Sequence, residues 1–155
     1  MWGQEDKVLG VVGGMGPLAT QLFYRMLIDM TEASRDQDHL DMIILNHASM
    51  PDRTEMIRLG RTEELFQALL KDVKKLEESG VTAIAIPCNT SHLLADRLQA
   101  EINVPIIHMI RETVKSIKER RVGIKRVGIL ATYGTIASGL YQKACTEAGI
   151  QPFVP

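Results

Sequence analysis

Short apolar runs alternate with longer stretches of helical spacing along this chain, and the alternation predicts its elements in order. Residues 7–12, Lys7-Val8-Leu9-Gly10-Val11-Val12, read as a buried strand. After Gly13-Gly14-Met15-Gly16-Pro17 a helix is expected over about 17–34, with Pro17 at its first position. A second strand covers 41–45, ends at Asn46 and His47, and leads into a loop holding Pro51-Asp52-Arg53-Thr54. A helix over 62–79 stops at Gly80, and strand 81–86, helix 91–101 and strand 104–108 follow. A charged helix over 111–121 comes next, and Val122-Gly123-Ile124-Lys125 breaks the pattern. Strand 126–130, the loop Ala131-Thr132-Tyr133-Gly134-Thr135, a helix to about Ala148 and a strand-like segment 150–154 complete the chain. Strands alternating with helices predict an α/β protein, a parallel sheet with helices on both faces. A domain boundary falls near Gly123, dividing the chain into 1–122 and 123–155.

Composition narrows the partners more than the fold. At 155 residues the chain can build one substantial core but not two complete domains. Eighteen basic residues against 19 acidic ones leave a net charge of −1, with no electrostatic footprint for nucleic acid or a membrane surface. No apolar run approaches membrane-spanning length and residues 1–7 lack the regions of a signal peptide, so a cytoplasmic protein is expected. Cys88 and Cys145 are too few for a disulfide framework and have no metal-ligand spacing with each other or with His39, His47, His92 and His108. Both read as free thiols, and no metal site is expected.

One internal comparison bears on the architecture. Residues 9–23 lie over 127–141 without a gap, at an offset of 118, so that strand, loop and helix start all repeat. Gly10 meets Gly128, Gly16 meets Gly134, Ala19 meets Ala137 and Leu22 meets Leu140. The match predicts a second, pseudo-symmetric α/β unit beginning near residue 125. At that offset the counterpart of Cys88 falls near position 206, beyond the 155 residues of the sequence.

Ligands of parallel α/β sheets collect at the carboxyl ends of the strands. Those ends carry Gly13 to Gly16, Asn46, Cys88 to Thr90, and Thr132 to Thr135. Cys88 sits in a strand-to-helix turn, where free N–H groups and a helix dipole bind carboxylates and activate a thiol; the competing reading is a buried structural cysteine. Small, amide and hydroxyl groups suit a compact carboxylate-bearing ligand. Arg53 is placed to take a second carboxylate, against the alternative of a solvated loop residue. Gly14-Met15-Gly16-Pro17-Leu18-Ala19 also fits a dinucleotide-binding pattern, but weakly: Pro17 interrupts the loop, and Asn46 stands where a ribose needs an acidic residue. Met26, Met30 and Met56 read as packing residues, and Lys118-Glu119-Arg120-Arg121 as a solvated helix end.

Three motifs together resemble the cofactor-independent aspartate/glutamate racemases, in their aspartate-racemase branch. They are Gly13-Gly14-Met15-Gly16-Pro17-Leu18-Ala19-Thr20, Pro51-Asp52-Arg53-Thr54 after Asn46, and Pro87-Cys88-Asn89-Thr90-Ser91-His92. Residues 131–135 with Ser138, Gly139 and Tyr141 are similar to the family's second-domain opening. The resemblance implies a flavodoxin-like first domain, the start of a second, no cofactor, and a homodimer acting on aspartate or glutamate. It implies proton transfer at the α-carbon between two cysteines, with Cys88 as the first. Asn89 and Thr90 would hold the substrate, Met15, Asn46, Thr132, Gly134 and Thr135 would line the cleft, and Arg53 would take the side-chain carboxylate. The family's second cysteine lies in a downstream Gly-Cys-Thr-Glu segment. Cys145-Thr146-Glu147 follows Ala144 inside a helix and does not replace it. The resemblance therefore predicts a C-terminally incomplete racemase, weak or inactive alone, with exposed apolar surface. The competing readings are a non-catalytic dicarboxylate-binding module and a related cysteine-dependent decarboxylase or isomerase.

Overall fold

The structure, a computed structural model, describes residues 7–155. Residues 1–6, most of the segment in which no signal peptide is read, lie outside the described residues. Four parallel strands form the main sheet: β1 (Val8–Gly13), β2 (Asp41–Asn46), β3 (Ala83–Ala85) and β4 (Ile106–Ile107), in the order β2-β1-β3-β4. Register is fixed by Val8 opposite Asp41, Leu9 opposite Ala83, and Ile84 opposite Ile106. This is the opening of the flavodoxin-like order 2-1-3-4-5, whose ligand crevice lies where the order reverses, between β1 and β3.

Strand alternation sends Val12, Ile84 and Ile86 to one face and Leu9, Val11, Ala83 and Ala85 to the other. On the first face α3 (Thr62–Glu78) and α4 (Ala95–Gln99) bury Leu65, Leu69, Val73, Leu76 and Leu98 in the larger core, joined by Leu94 just before α4. Each such leucine, fully buried, contributes about 1.5–3 kcal/mol. The second face is covered by α1 (Pro17–Met30) through Phe23 and Leu27. Between α1 and α5 (Met109–Arg120) an apolar groove of about 780 Å³ stays open over Leu9, Ala83, Ala85 and Ile107. Leu18, Leu22, Met26 and Met30 face solvent on α1, in line with the expected exposed apolar surface; of the three methionines read as packing residues only Met56 is buried, because Met26 and Met30 lie on the face of α1 turned away from the sheet.

A separate parallel pair, β5 (Arg126–Gly128) and β6 (Gln151–Phe153), follows, joined by α6 (Tyr133–Ser138) and α7 (Leu140–Glu147). Val114 and Ile117 of α5 share a core with Cys145, Ile150 and Val127 there. Among the described residues no helix is long and apolar enough to cross a membrane.

Several elements differ from the sequence reading. The first helix ends at Met30 rather than Ser34, where Thr31 turns its hydroxyl onto the Leu27 carbonyl at 2.6 Å and leaves helical geometry. The loop expected at residues 51–54 gives way to α2 (Arg53–Arg58), because Asp52 caps it by accepting the Glu55 N–H at 2.8 Å. The helix expected over 91–101 is a 3-10 turn, Thr90–Leu94, followed by the short α4. The helix expected to run to Ala148 is broken at Gly139, whose left-handed φ of 66° ends α6 and starts α7.

Candidate functional site

The loops after β1, β2 and β3 and the loop after β5 meet at one rim, the carboxyl ends of the strands. Gly14 makes the first close approach possible: with φ at 88°, an added Cβ would lie 2.5 Å from the His47 carbonyl carbon. The His47 N–H donates to the Gly13 carbonyl at 3.1 Å, and His47 Nδ1 is 2.7 Å from the buried Asp72 on α3. Asn46, paired with Gly13, is exposed at the end of β2.

Cys88 is half-buried in the loop beyond β3, the strand that pairs with β1 on one side and β4 on the other. The fully buried Ser91 places its hydroxyl 3.1 Å from Cys88 Sγ and 3.4 Å from Met15 Sδ. His92, 2% exposed, fixes the same loop from below. Its Nε2 accepts the Met109 N–H at 3.1 Å, so Nδ1 carries the proton and donates to the Cys88 carbonyl at 2.8 Å. That carbonyl is the acceptor an α-helix would offer the His92 N–H, which turns to the Asn89 carbonyl instead, at 3.1 Å. The imidazole therefore tightens the segment into a 3-10 turn, and the helix dipole expected behind Cys88 shrinks to a few residues. Burial pushes the His92 pKa below its usual value. His108 stacks obliquely 5.0 Å away and is lowered too, by burial first and then by the adjacent imidazole.

The second strand pair contributes directly to the rim. Thr135 Oγ1 lies 3.0 Å from Thr90 Oγ1 and 3.2 Å from Thr132 Oγ1. Gly134 presses against α2: an added Cβ would meet Thr54 Oγ1 at 2.8 Å and Thr90 Cγ2 at 3.3 Å. Tyr141 donates its hydroxyl to Asn89 Oδ1 at 2.7 Å, which turns the Asn89 NH2 group away as a free donor. Arg53 opens α2, bonds the Pro51 carbonyl at 3.2 Å, and has no carboxylate within 4 Å among the described residues.

The structure thus joins Met15 to Cys88 through Ser91, and Thr90 to Thr132, Gly134 and Thr135 across the seam, with Arg53 at the start of the helix that Gly134 touches. Asn46 shares the rim through its pairing with Gly13, without a side-chain bond to the others. Sequence reasoning gave Ser91, His92 and Tyr141 no role of their own. Their spacings from Cys88, three and four residues for the first two, were the available signal. Cys145 is 1% exposed on α7, inside the core shared with α5, and burial raises its pKa. Among the described residues no group of three or more His, Cys, Asp or Glu is arranged for a metal.

A family model described as Asp/Glu/Hydantoin racemase matches residues 12–155. The broad specificity amino-acid racemase RacX of Bacillus subtilis is 35% identical over 146 residues, 92% of this chain and 62% of its own length. The solved aspartate racemase of Picrophilus torridus superposes with a TM-score of 0.82 at 32% identity, over 96% of this chain and 62% of its own. A glutamate racemase of Aquifex pyrophilus is 39% identical over 80 residues, 50% of this chain and 31% of its length. The chain therefore spans less than two thirds of the relatives it matches.

Proposed function

Since the chain belongs to the Asp/Glu/hydantoin racemase family, we propose that its site moves the α-proton of a small acidic amino acid, aspartate or glutamate, with Cys88 as the acid/base group. The observation that supports this reading is the Cys88 sulfur, half-buried just after β3 with the Ser91 hydroxyl 3.1 Å away, while the next two residues, Asn89 and Thr90, bond Tyr141 and Thr135 across the seam. Cys88 as thiolate takes the α-proton of one enantiomer, and as thiol returns a proton to the planar carbanion. The α-carboxylate is held by Asn89, Thr90, Thr132 and Thr135 beside Met15, Asn46 and Gly134, and Arg53 takes the side-chain carboxylate bidentately. No pyridoxal electron sink takes part in this scheme.

Inversion needs a second acid/base group on the opposite face of the α-carbon. Cys145 does not supply it, because it lies in the α7 core. Residues 123–155 belong in this reading to the beginning of a second domain, and the 155-residue chain by itself is a weak or inactive racemase. It is cytoplasmic and pairs as a homodimer, which sedimentation equilibrium tests. Incubation with each aspartate enantiomer in deuterated water tests the chemistry: one enantiomer exchanges its α-hydrogen, and Cys88→Ser abolishes the exchange. Unchanged exchange in that variant removes the assignment, and rapid inversion of both enantiomers removes the one-base form. With Cys88 as the one acid/base group assigned to it, the site also fits a dicarboxylate-binding module without turnover, which would show calorimetric binding of aspartate or malate and no exchange.

A further inference from the structure

Ser91 has a polar position that the scheme above does not use. It stands three residues beyond Cys88, as the second residue of the 3-10 turn Thr90–Leu94. Its hydroxyl is 3.1 Å from Cys88 Sγ and 3.4 Å from Met15 Sδ, in a side chain that is 0% exposed. A hydroxyl has one proton to donate and two sulfurs within reach. A thioether and a neutral thiol are weak acceptors, whereas a thiolate is a charged and much stronger one.

We propose that Ser91 is a catalytic residue that acts as a two-position hydrogen-bond donor, turned to Cys88 Sγ when that atom is a thiolate and to Met15 Sδ when it is a thiol. The inference rests on the reading of Cys88 as the acid/base group. In the step itself the substrate Cα–H bond breaks, an S–H bond forms on Cys88, and the electron pair stays on the α-carbon. Ser91 keeps its own proton throughout. As the thiolate is neutralised, the serine O–H rotates to Met15 Sδ and its oxygen is free to accept the new S–H. In the reverse direction the rotation restores a donor to the sulfur as charge returns. Both arrangements lie in an interior from which water is excluded on the Ser91 side, so this hydroxyl serves the sulfur where solvent does not reach. Met15 has a matching part as the resting acceptor: with leucine there, the hydroxyl would have only Cys88 to address.

The test is the pH profile of Cys88 alkylation by iodoacetamide, followed at the Cys88 peptide by mass spectrometry so that Cys145 does not contribute. Ser91→Ala displaces the profile to higher pH, by about half a unit or more, with an alkylation rate near neutral pH about threefold or more below the parent's. Met15→Leu leaves the profile in place or moves it to lower pH. A Ser91→Ala profile that superimposes on the parent's, with an unchanged circular dichroism spectrum, overturns the proposal. Displacement of both variants to higher pH also overturns it, since general loosening of the loop would do that. Exchange of the aspartate α-hydrogen is followed in parallel. A displaced alkylation profile with undiminished exchange removes the catalytic role of Ser91. Absence of exchange in the parent removes the function proposed for Cys88, while the displacement still reports whether Ser91 holds the thiolate.

Discussion

At the scale of single residues, chemistry and support are separable around Cys88. The sulfur meets a hydroxyl on one side, while its backbone carbonyl is held by an imidazole whose two nitrogens are both engaged. Protonating His92 would set two donors, the Met109 N–H and a charged Nε2–H, against each other in a buried place. The folded chain therefore binds fewer protons at His92 than the unfolded chain does, so stability is present above the unfolded histidine pKa of about 6.5 and falls as pH drops below it. His108, lowered by burial and then by the His92 imidazole, acts in the same direction, with the Arg111 charge adding to the shift and the Asp96 charge opposing it. Denaturant titrations between pH 8 and pH 5 should show this loss. His92→Leu should flatten part of the slope and cost about 2 kcal/mol at pH 8, because two partly buried backbone groups, the Cys88 carbonyl and the Met109 N–H, lose their partner. Cys88 and its polar neighbours were legible as a motif at a strand end. The roles of Ser91 and His92 were not, because they depend on a 3-10 turn that the sequence reading took for an α-helix.

At the scale of elements, the two-faced parallel sheet follows from apolar runs of a few residues, which place every strand, although β3, β4 and β5 are shorter than the runs that mark them. Boundaries failed where a side chain competes with the backbone: Thr31 at the end of α1, Asp52 at the start of α2, His92 under the 3-10 turn. Gly139 carried a visible breaker signal whose effect is a left-handed joint between α6 and α7. The seam between α2 and α6 could not be read at all, since it depends on Gly134 lying against Thr54. Gly134→Ala should push α6 off that contact and destabilise the protein by about 1–3 kcal/mol. At this chain length that is a fall in melting temperature of about 2–4 °C per kcal/mol. Thr54→Ala, which removes the nearest atom, should recover part of the loss when combined with it. A double-mutant cycle followed by thermal melting checks the coupling.

For the whole molecule, the two faces of the main sheet are unequally covered. One carries two helices and a continuous core; the other carries α1 and an open apolar groove. An apolar surface of this kind should bind 8-anilinonaphthalene-1-sulfonate with enhanced fluorescence in the native state. Ile107→Lys, at a groove position already 42% exposed, should reduce that fluorescence with little change in melting temperature. α5 stands beside this groove and also spans the two layers. Its first residue holds His92, and through it the Cys88 carbonyl, while Val114 and Ile117 sit in the core around Cys145 and Ile150. The helix is thus a lever with one arm on the Cys88 loop and the other in the second layer. Any rotation of that layer that carries α5 with it must stretch the Met109–His92 bond or swing the backbone behind the sulfur, so the alignment of Cys88 is set partly by residues far beyond its own strand.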